Sequence, residues 1–331
     1  MIKIGMKKVS KVIICLLLMT VICGCKQTNN IEDNRTLPYR IVDKEEAIKL
    51  YLSNDDYFNS LSEYDIQYRT QSIYGKIDHL KEYGAKQMSD FSDIEKKTLN
   101  EAMDELEKII SDNNYHLPEI NEITFIKSSQ EEEGGSVAYT HGTQIYMNNI
   151  IPLYLRTNKQ NHQKGLCILA HEIFHCLTRN NPDFKKEMYS LINFNLQEDD
   201  FKIPSNIKII SISNPDVERH NAYATFSINN KKKDCYVMNI STKPFQKKGD
   251  SYTSYYENIL VPINKEASDK DYYLYNECSD VLDVFGENTK YITDPEECMA
   301  DNFSYALVYG LDGQMKYNNP NIIEGILKIL K

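Results

Sequence analysis

The sequence predicts an α+β fold, and three observations carry the prediction. Across residues 41–116 apolar side chains recur at helical spacing, as in Leu99, Met103, Leu106 and Ile110. After Pro118 the pattern changes to short runs of β-branched and aromatic residues separated by turn chemistry. Between those runs, residues 163–179 carry one apolar stripe, Leu166, Ala170, Ile173 and Leu177, and enclose His171-Glu172-Ile173-Phe174-His175. The expected architecture is a helical N-terminal region, a small mixed sheet, the helix of residues 163–179 beneath it, and a further helix downstream.

Taken in order, residues 1–24 place Lys3, Lys7, Lys8 and Lys11 ahead of an apolar run that ends at Cys23. That run is too short to span a bilayer as a helix but suits an export signal. Residues 25–40 are polar and aperiodic, as a flexible tether is. Asp43 followed by Glu46 has the form of a capping box, and residues 93–111 make the most strongly patterned helix of the 41–116 region. Residues 117–331 form the remaining domain. In it, 120–126 reads as a strand, 131–135 as a turn, and 136–147 as one strand with Gly142 at a bulge. Asn180-Asn181-Pro182 stops the long helix, and a short helix follows over 184–192. Residues 207–212, 222–228 and 235–240 read as strands, with turns at Asn214-Pro215-Asp216 and Asn229-Asn230; residues 246–280 support no assignment. Asp294 is an N-cap with Pro295 at the first helical position, and this helix ends near Gly310, before a terminal helix over 322–330.

Composition sets outer limits on function. A chain of 331 residues with 41% apolar and 26% charged content folds, and is not disordered throughout. Four of its 38 basic residues, and none of its 48 acidic ones, precede residue 25, so the body is more acidic than the net charge of -10 suggests. Such a body has no electrostatic footprint for nucleic acid. Cys167, Cys176, Cys235, Cys278 and Cys298 are odd in number, irregularly spaced and without a C-x-x-C pair, so they are expected as small buried thiols.

The chemistry begins with H-E-x-x-H. On a helix, positions four apart share one face, so His171 and His175 hold one ion while Glu172 projects beside it towards a bound water. A catalytic zinc takes three protein ligands and leaves the fourth position open. The missing ligand is sought on another element, and Glu297 is the choice, with Asp301 one turn further on to accept the outer N–H of a ligand histidine. A rival role for Glu297 is that of capping partner at the third helical position; Glu296 is expected to point away into solvent. His220 is the candidate oxyanion or substrate contact.

With these motifs the chain resembles the gluzincins, zinc metallopeptidases whose third ligand is a glutamate on a downstream helix in an E-x-x-x-D pattern. Glu297-Cys298-Met299-Ala300-Asp301 is similar to the E-x-x-A-D form seen in several of them. The resemblance covers His171 to Asp301, with 121 residues between His175 and Glu297, a long insert. It implies a zincin-like catalytic domain, a single Zn²⁺ held by His171, His175 and Glu297, Glu172 as general base, and hydrolysis of peptide bonds in a peptide or protein. In such peptidases the strand before the active helix forms a sheet edge along which substrate lies, a role open to Tyr139–His141 alongside that of an interior strand.

Ile22-Cys23-Gly24-Cys25 resembles the lipobox of bacterial lipoproteins, which implies cleavage before Cys25, its lipidation, and an extracytoplasmic protein anchored to the cell membrane of a bacterium. The expected form is a monomer. The competing class is a non-enzymatic surface lipoprotein, a binding or adhesion module whose metal is structural or absent.

Overall fold

In the computed structural model, which describes residues 35–311 and 315–331, the chain enters the fold earlier than its polar composition predicts. Leu37 is fully buried, and strand β1 (Tyr39–Ile41) pairs in parallel with a central strand, so the tether expected to reach residue 40 ends before Leu37. The export signal, Cys25 and residues 26–34 lie outside the described residues. Helix α1 (Lys44–Leu52) starts as its sequence requires, with the Asp43 carboxylate accepting the Glu46 N–H at 2.9 Å. It is followed by α2 (Asp55–Ser60), α3 (Glu63–Thr70), α4 (Ile77–Ala85), the short strand β2 (Met88–Ser89) and α5 (Asp93–Asp112). A reciprocal capping box between Ser92 and Glu95 fixes the start of α5. The N-terminal region is therefore mainly helical, yet β1 and β2 both pair with β3 (Ile123–Ser128), so it shares a sheet with residues beyond 117.

Residues 136–147, expected as one strand, form the hairpin β4 (Ala138–His141) and β5 (Gln144–Met147). Gly142, with φ of 57°, lies in the turn between them, a left-handed position that glycine adopts without a side-chain penalty. The strand order is β1-β3-β5-β4, which leaves β4 on an edge. Alternation along the strands gives this mixed sheet two buried faces. Phe125, Ile145 and Met147 join the main core, while Ile126, Tyr139 and Tyr146 pack against Ala47, Tyr51, Phe58 and Leu80.

After α6 (Ile150–Leu155) comes the long helix α7 (Lys159–Asn180), then α8 (Pro182–Ser190). Gly165 lets α6 and α7 approach, since a Cβ there would sit 2.9 Å from Leu155 Cγ. Leu166, Leu169, Ile173, Phe174 and Leu177 of α7 are all buried in the main core. Each contributes roughly 1.5–3 kcal/mol of burial free energy.

A second, antiparallel sheet then forms from β6 (Asn195–Leu196), β7 (Ala222–Ile228), β8 (Lys231–Ser241), β9 (Tyr256–Pro262) and β10 (Tyr273–Leu274), in the order β10-β9-β8-β7-β6. Asn229 and Asn230, with φ of 51° and 62°, make the two-residue turn between β7 and β8, as hairpin geometry favours. The strand expected over 207–212 is instead α9 (Ser205–Ile210), with only a bridge from Ser211 to Ile240. Pro204 opens that helix, and Ile207 packs on Tyr236, Met238 and Ile240 of β8, so packing on a sheet decides against the β propensity of three isoleucines.

The chain closes with α10 (Val281–Phe285), α11 (Pro295–Tyr309) and α12 (Pro320–Ile329). The fold is thus α+β with two small sheets. The five cysteines carry free thiols, and all but Cys278 are buried. Among the described residues no helix is long and apolar enough to cross a membrane.

Candidate metal centre

Helices α7 and α11 pack against each other, with Phe174 and Phe303 ring centroids 5.2 Å apart. They run antiparallel, because His171 meets Asp301 and Glu297 while His175, one turn on, meets Glu297 and Glu296 one turn back. His171 Nε2 lies 3.0 Å from Glu297 Oε2, and His175 Nε2 lies 3.6 Å from the same oxygen. The 121-residue separation is closed by this pairing, and Glu297 faces both histidines.

The other ring nitrogens are held by separate carboxylates. His171 Nδ1 is 2.9 Å from Asp301 Oδ1, the partner expected for it. His175 Nδ1 is 3.0 Å from Glu296 Oε1, which corrects the expectation that Glu296 points into solvent. Glu296 is fully buried, accepts bonds from Thr178 and Tyr189, and pairs with Lys185 at 3.3 Å. On a regular helix two consecutive glutamates diverge by about 100°, which argues for one solvated side chain. Here the groove between α7, α8 and α11 receives Glu296, while Glu297 turns to His171 and His175 of α7 and to Asn214 and Tyr291. Asp294 caps α11 through the Glu296 N–H at 2.8 Å, and the Glu297 carboxylate bonds instead to His171, Asn214 and Tyr291. The first-turn position of Glu296 and Glu297 lets the positive end of the helix favour their charge.

Burial opposes charging of every group in this cluster, and the net direction follows from its partners. Burial lowers the His171 pKa, but Asp301 and Glu297 outweigh it and hold it well above the usual value. For His175 the carboxylates of Asp216, Glu296 and Glu297 prevail over burial and raise it to about 10. Glu297 is held below the ordinary carboxylate range because the two histidines overcome its burial; for Glu296, Lys185 and His175 do so. Asp294, buried without such a cation in contact, is pushed up to about 8.

Glu172 stands at the open side. Its Oε2 accepts the Thr140 hydroxyl of β4 at 2.8 Å, so the hairpin orients the expected base. A residue that the sequence marks only as turn chemistry completes the surroundings. The carboxylate of Asp216 is buried, accepts the Thr140 N–H at 2.6 Å, and lies within 4.8 Å of a His175 ring nitrogen and a Glu172 oxygen. Burial raises its pKa well above the usual value, with Glu172 and Glu297 adding to the effect and His175 opposing it. Asn214, in the same loop, donates to Glu297 Oε1, and Tyr291 donates to that oxygen at 3.1 Å. The only signal for Asn214 and Asp216 in the sequence is the turn at Asn214-Pro215-Asp216, which names no partner; Tyr291 is one weak candidate among 24 tyrosines.

His220, the expected oxyanion donor, is half-buried beside Asp200 and Lys185 and does not line the cavities that border the cluster. Burial lowers its pKa, with Asp200 opposing. Tyr291 lines two of those cavities, of about 270 and 390 Å³. No family model, curated protein or solved structure matches the chain.

The donor set fits a divalent ion of nitrogen and oxygen preference. With ligand bonds of about 2.0–2.1 Å, tetrahedral donors lie about 3.3 Å apart, and the observed 3.0 and 3.6 Å bracket that spacing. Among the described residues, His175 Nε2 is buried without a hydrogen-bond partner, a costly state that an ion would relieve. These buried groups can hold a metal ion.

Proposed function

We propose that this protein is a zinc-dependent peptidase of gluzincin-like plan, tethered by a lipid on Cys25 to the outer face of a bacterial cytoplasmic membrane. The observation that carries the reading is the convergence of His171 Nε2, His175 Nε2 and Glu297 Oε2, with each outer ring nitrogen fixed by its own carboxylate. Support of this kind orients ligand histidines and raises their basicity. Imidazole and carboxylate donors without thiolates suit Zn²⁺. When bound, zinc supplies acidification of a water and polarisation of the scissile carbonyl.

The remaining work belongs to the chain. Glu172, oriented by Thr140, takes the water proton and returns it to the leaving amine. Asp301 and Glu296 keep both Nε2 atoms turned to one point. Tyr291, whose hydroxyl donates to Glu297 Oε1, lines both cavities beside the cluster and is the nearest candidate to turn towards the oxygen of the tetrahedral intermediate. β4 is an edge strand beside α7, the kind of element along which an extended peptide lies.

The test is metal content together with one conservative variant. The purified chain is expected to hold about one equivalent of zinc, and Glu172→Gln to retain that zinc while losing at least about a hundredfold in cleavage of a peptide library. A metal-free protein of undiminished thermal stability, or a Glu172→Gln variant as active as the parent, sinks the reading.

A further inference from the structure

The free edge of β4 is already occupied by the chain itself. In the antiparallel pair with β5 (Tyr139 opposite Tyr146, His141 opposite Gln144), alternate N–H groups point away from the sheet. The outward ones at Thr140 and Gly142 are two residues apart, and both are taken by carboxylates two residues apart in one loop. Thr140 N–H donates to Asp216 Oδ1 at 2.6 Å and Gly142 N–H to Glu218 Oε1 at 2.8 Å. Arg179 of α7 fastens the same loop, reaching Pro215 O at 3.1 Å and Glu218 at 3.1 Å.

The position of Asp216 relative to the cleft is the second observation. Two cavities, of about 270 and 390 Å³, meet at the start of β4, and Ser136, Ala138, Asp216 and Tyr291 line both. The first extends towards Ser213 and Tyr256, the second towards His171, Lys164 and Tyr305. A peptide entering at this end of β4 would meet both, and Asp216 stands where they join. Its carboxylate lies beside His175 and Glu172, at the side of the cluster that three protein ligands leave open.

We propose that Asp216, carried on residues 214–218, is a displaceable fourth carboxylate of the metal centre and a plug in the substrate cleft, so that the folded protein rests in a latent state and opens when this loop lifts from β4. The proposal rests on the zinc-site reading. The loop suits the role because its inner end is held from buried groups, while its outer end is held by charged side chains at the exposed rim, Glu218 by Arg179 and Arg219 by Asp200. Ser213 is bound through its N–H and hydroxyl to Asp65 at 2.8 Å each, and through its carbonyl to Arg69 at 2.8 Å, whereas Glu218 and Arg219 are exposed. The contacts that hold the loop to β4 are side-chain carboxylates on backbone N–H groups, which water or the backbone carbonyls of an incoming peptide replace in kind.

The experiment separates occupancy of the site from access to it. The full chain and its Asp216→Ala and Asp216→Asn variants are loaded with Co²⁺, whose visible spectrum reports coordination, and titrated with acetohydroxamate, which needs an open position on the metal. All three are expected to bind about one equivalent of Co²⁺, and Asp216→Ala to bind acetohydroxamate at least about tenfold more tightly than the parent, as expected when a competing internal ligand is removed. Asp216→Asn, which keeps an acceptor for the Thr140 N–H but a poorer ligand, is expected to shift in the same direction and serves if the alanine variant does not fold. Equal probe affinity in the parent and both variants overturns the plug while leaving the metal site standing. Loss of Co²⁺ binding on Asp216→Ala with the fold retained also overturns it, because Asp216 is then a permanent ligand. Failure of the parent chain to bind Co²⁺ overturns both this proposal and the zinc-site reading.

Discussion

The two sides of the metal centre are built by different means. His171, His175, Glu296, Glu297 and Asp301 stand on two packed helices, where backbone hydrogen bonds are satisfied within each element and every functional side chain is braced by a second one. Residues 214–218 on the opposite side form no regular element, and they are held by side-chain bonds, to a strand edge through Asp216 and Glu218 and to the helices through Arg179 and Asn214. One side is placed by the core and moves only with it; the other is placed by exchangeable contacts. The difference assigns holding to the helices and covering to the loop, and that division can be broken experimentally from either half.

The largest effect is expected at Glu297. Its Oε2 faces both histidines while Oε1 receives Asn214 and Tyr291, so Glu297→Ala removes a ligand and leaves four polar partners unanswered. Metal affinity, read by competition with a chromophoric chelator, is expected to fall by more than the 10–100-fold that a supporting partner is worth. A fall of less than about tenfold would place the ion elsewhere.

Glu296 comes next and distinguishes a supported histidine from an unsupported one. Glu296→Ala is expected to weaken metal binding by about 10–100-fold. It is also expected to lower stability by about 3–5 kcal/mol, because Lys185 and the His175 ring lose their buried partner. Chelator competition and chemical denaturation read the two effects separately. No change in either would mean that the groove between α7, α8 and α11 is open to water.

Legibility in the sequence divides along the same line. His171, Glu172 and His175 are readable because a helix converts spacing into a shared face, and Asp301 because it lies one turn beyond Glu297. The α11 start is readable from Asp294 and Pro295, whose roles are local. Glu296 is misjudged from sequence because periodicity reports which faces differ and cannot report that both are covered. The hairpin of β4 and β5 reads as one strand because Gly142 suits a bulge as well as a turn, and only pairing decides. Asp216 is out of reach, because its role depends on α3 seating Ser213 through Asp65 and Arg69, contacts that span more than 140 residues.

The smallest effect expected is a pH dependence that belongs to the helical side. In protein stripped of metal, carboxylate neighbours raise the His171 and His175 pKa values above the ordinary value of about 6.5, against the effect of burial, with His175 at about 10. A pKa raised on folding contributes stability that is fully present below the unfolded value and is lost as pH rises through the folded one. The thermal midpoint of the stripped protein is therefore expected to decline between about pH 6.5 and 10. Zinc binds neutral imidazole, so the loaded protein is expected to lack this decline, and uptake at pH 7 to release protons, measurable by calorimetry in buffers of differing ionisation enthalpy. Replacing Glu218, which meets Gly142 and Arg179 at the exposed rim and touches neither histidine, is expected to leave both observations unchanged. A decline that persists in the loaded protein, or that disappears with Glu218→Gln, would move the titrating groups from the helices to the loop and undo the division between them.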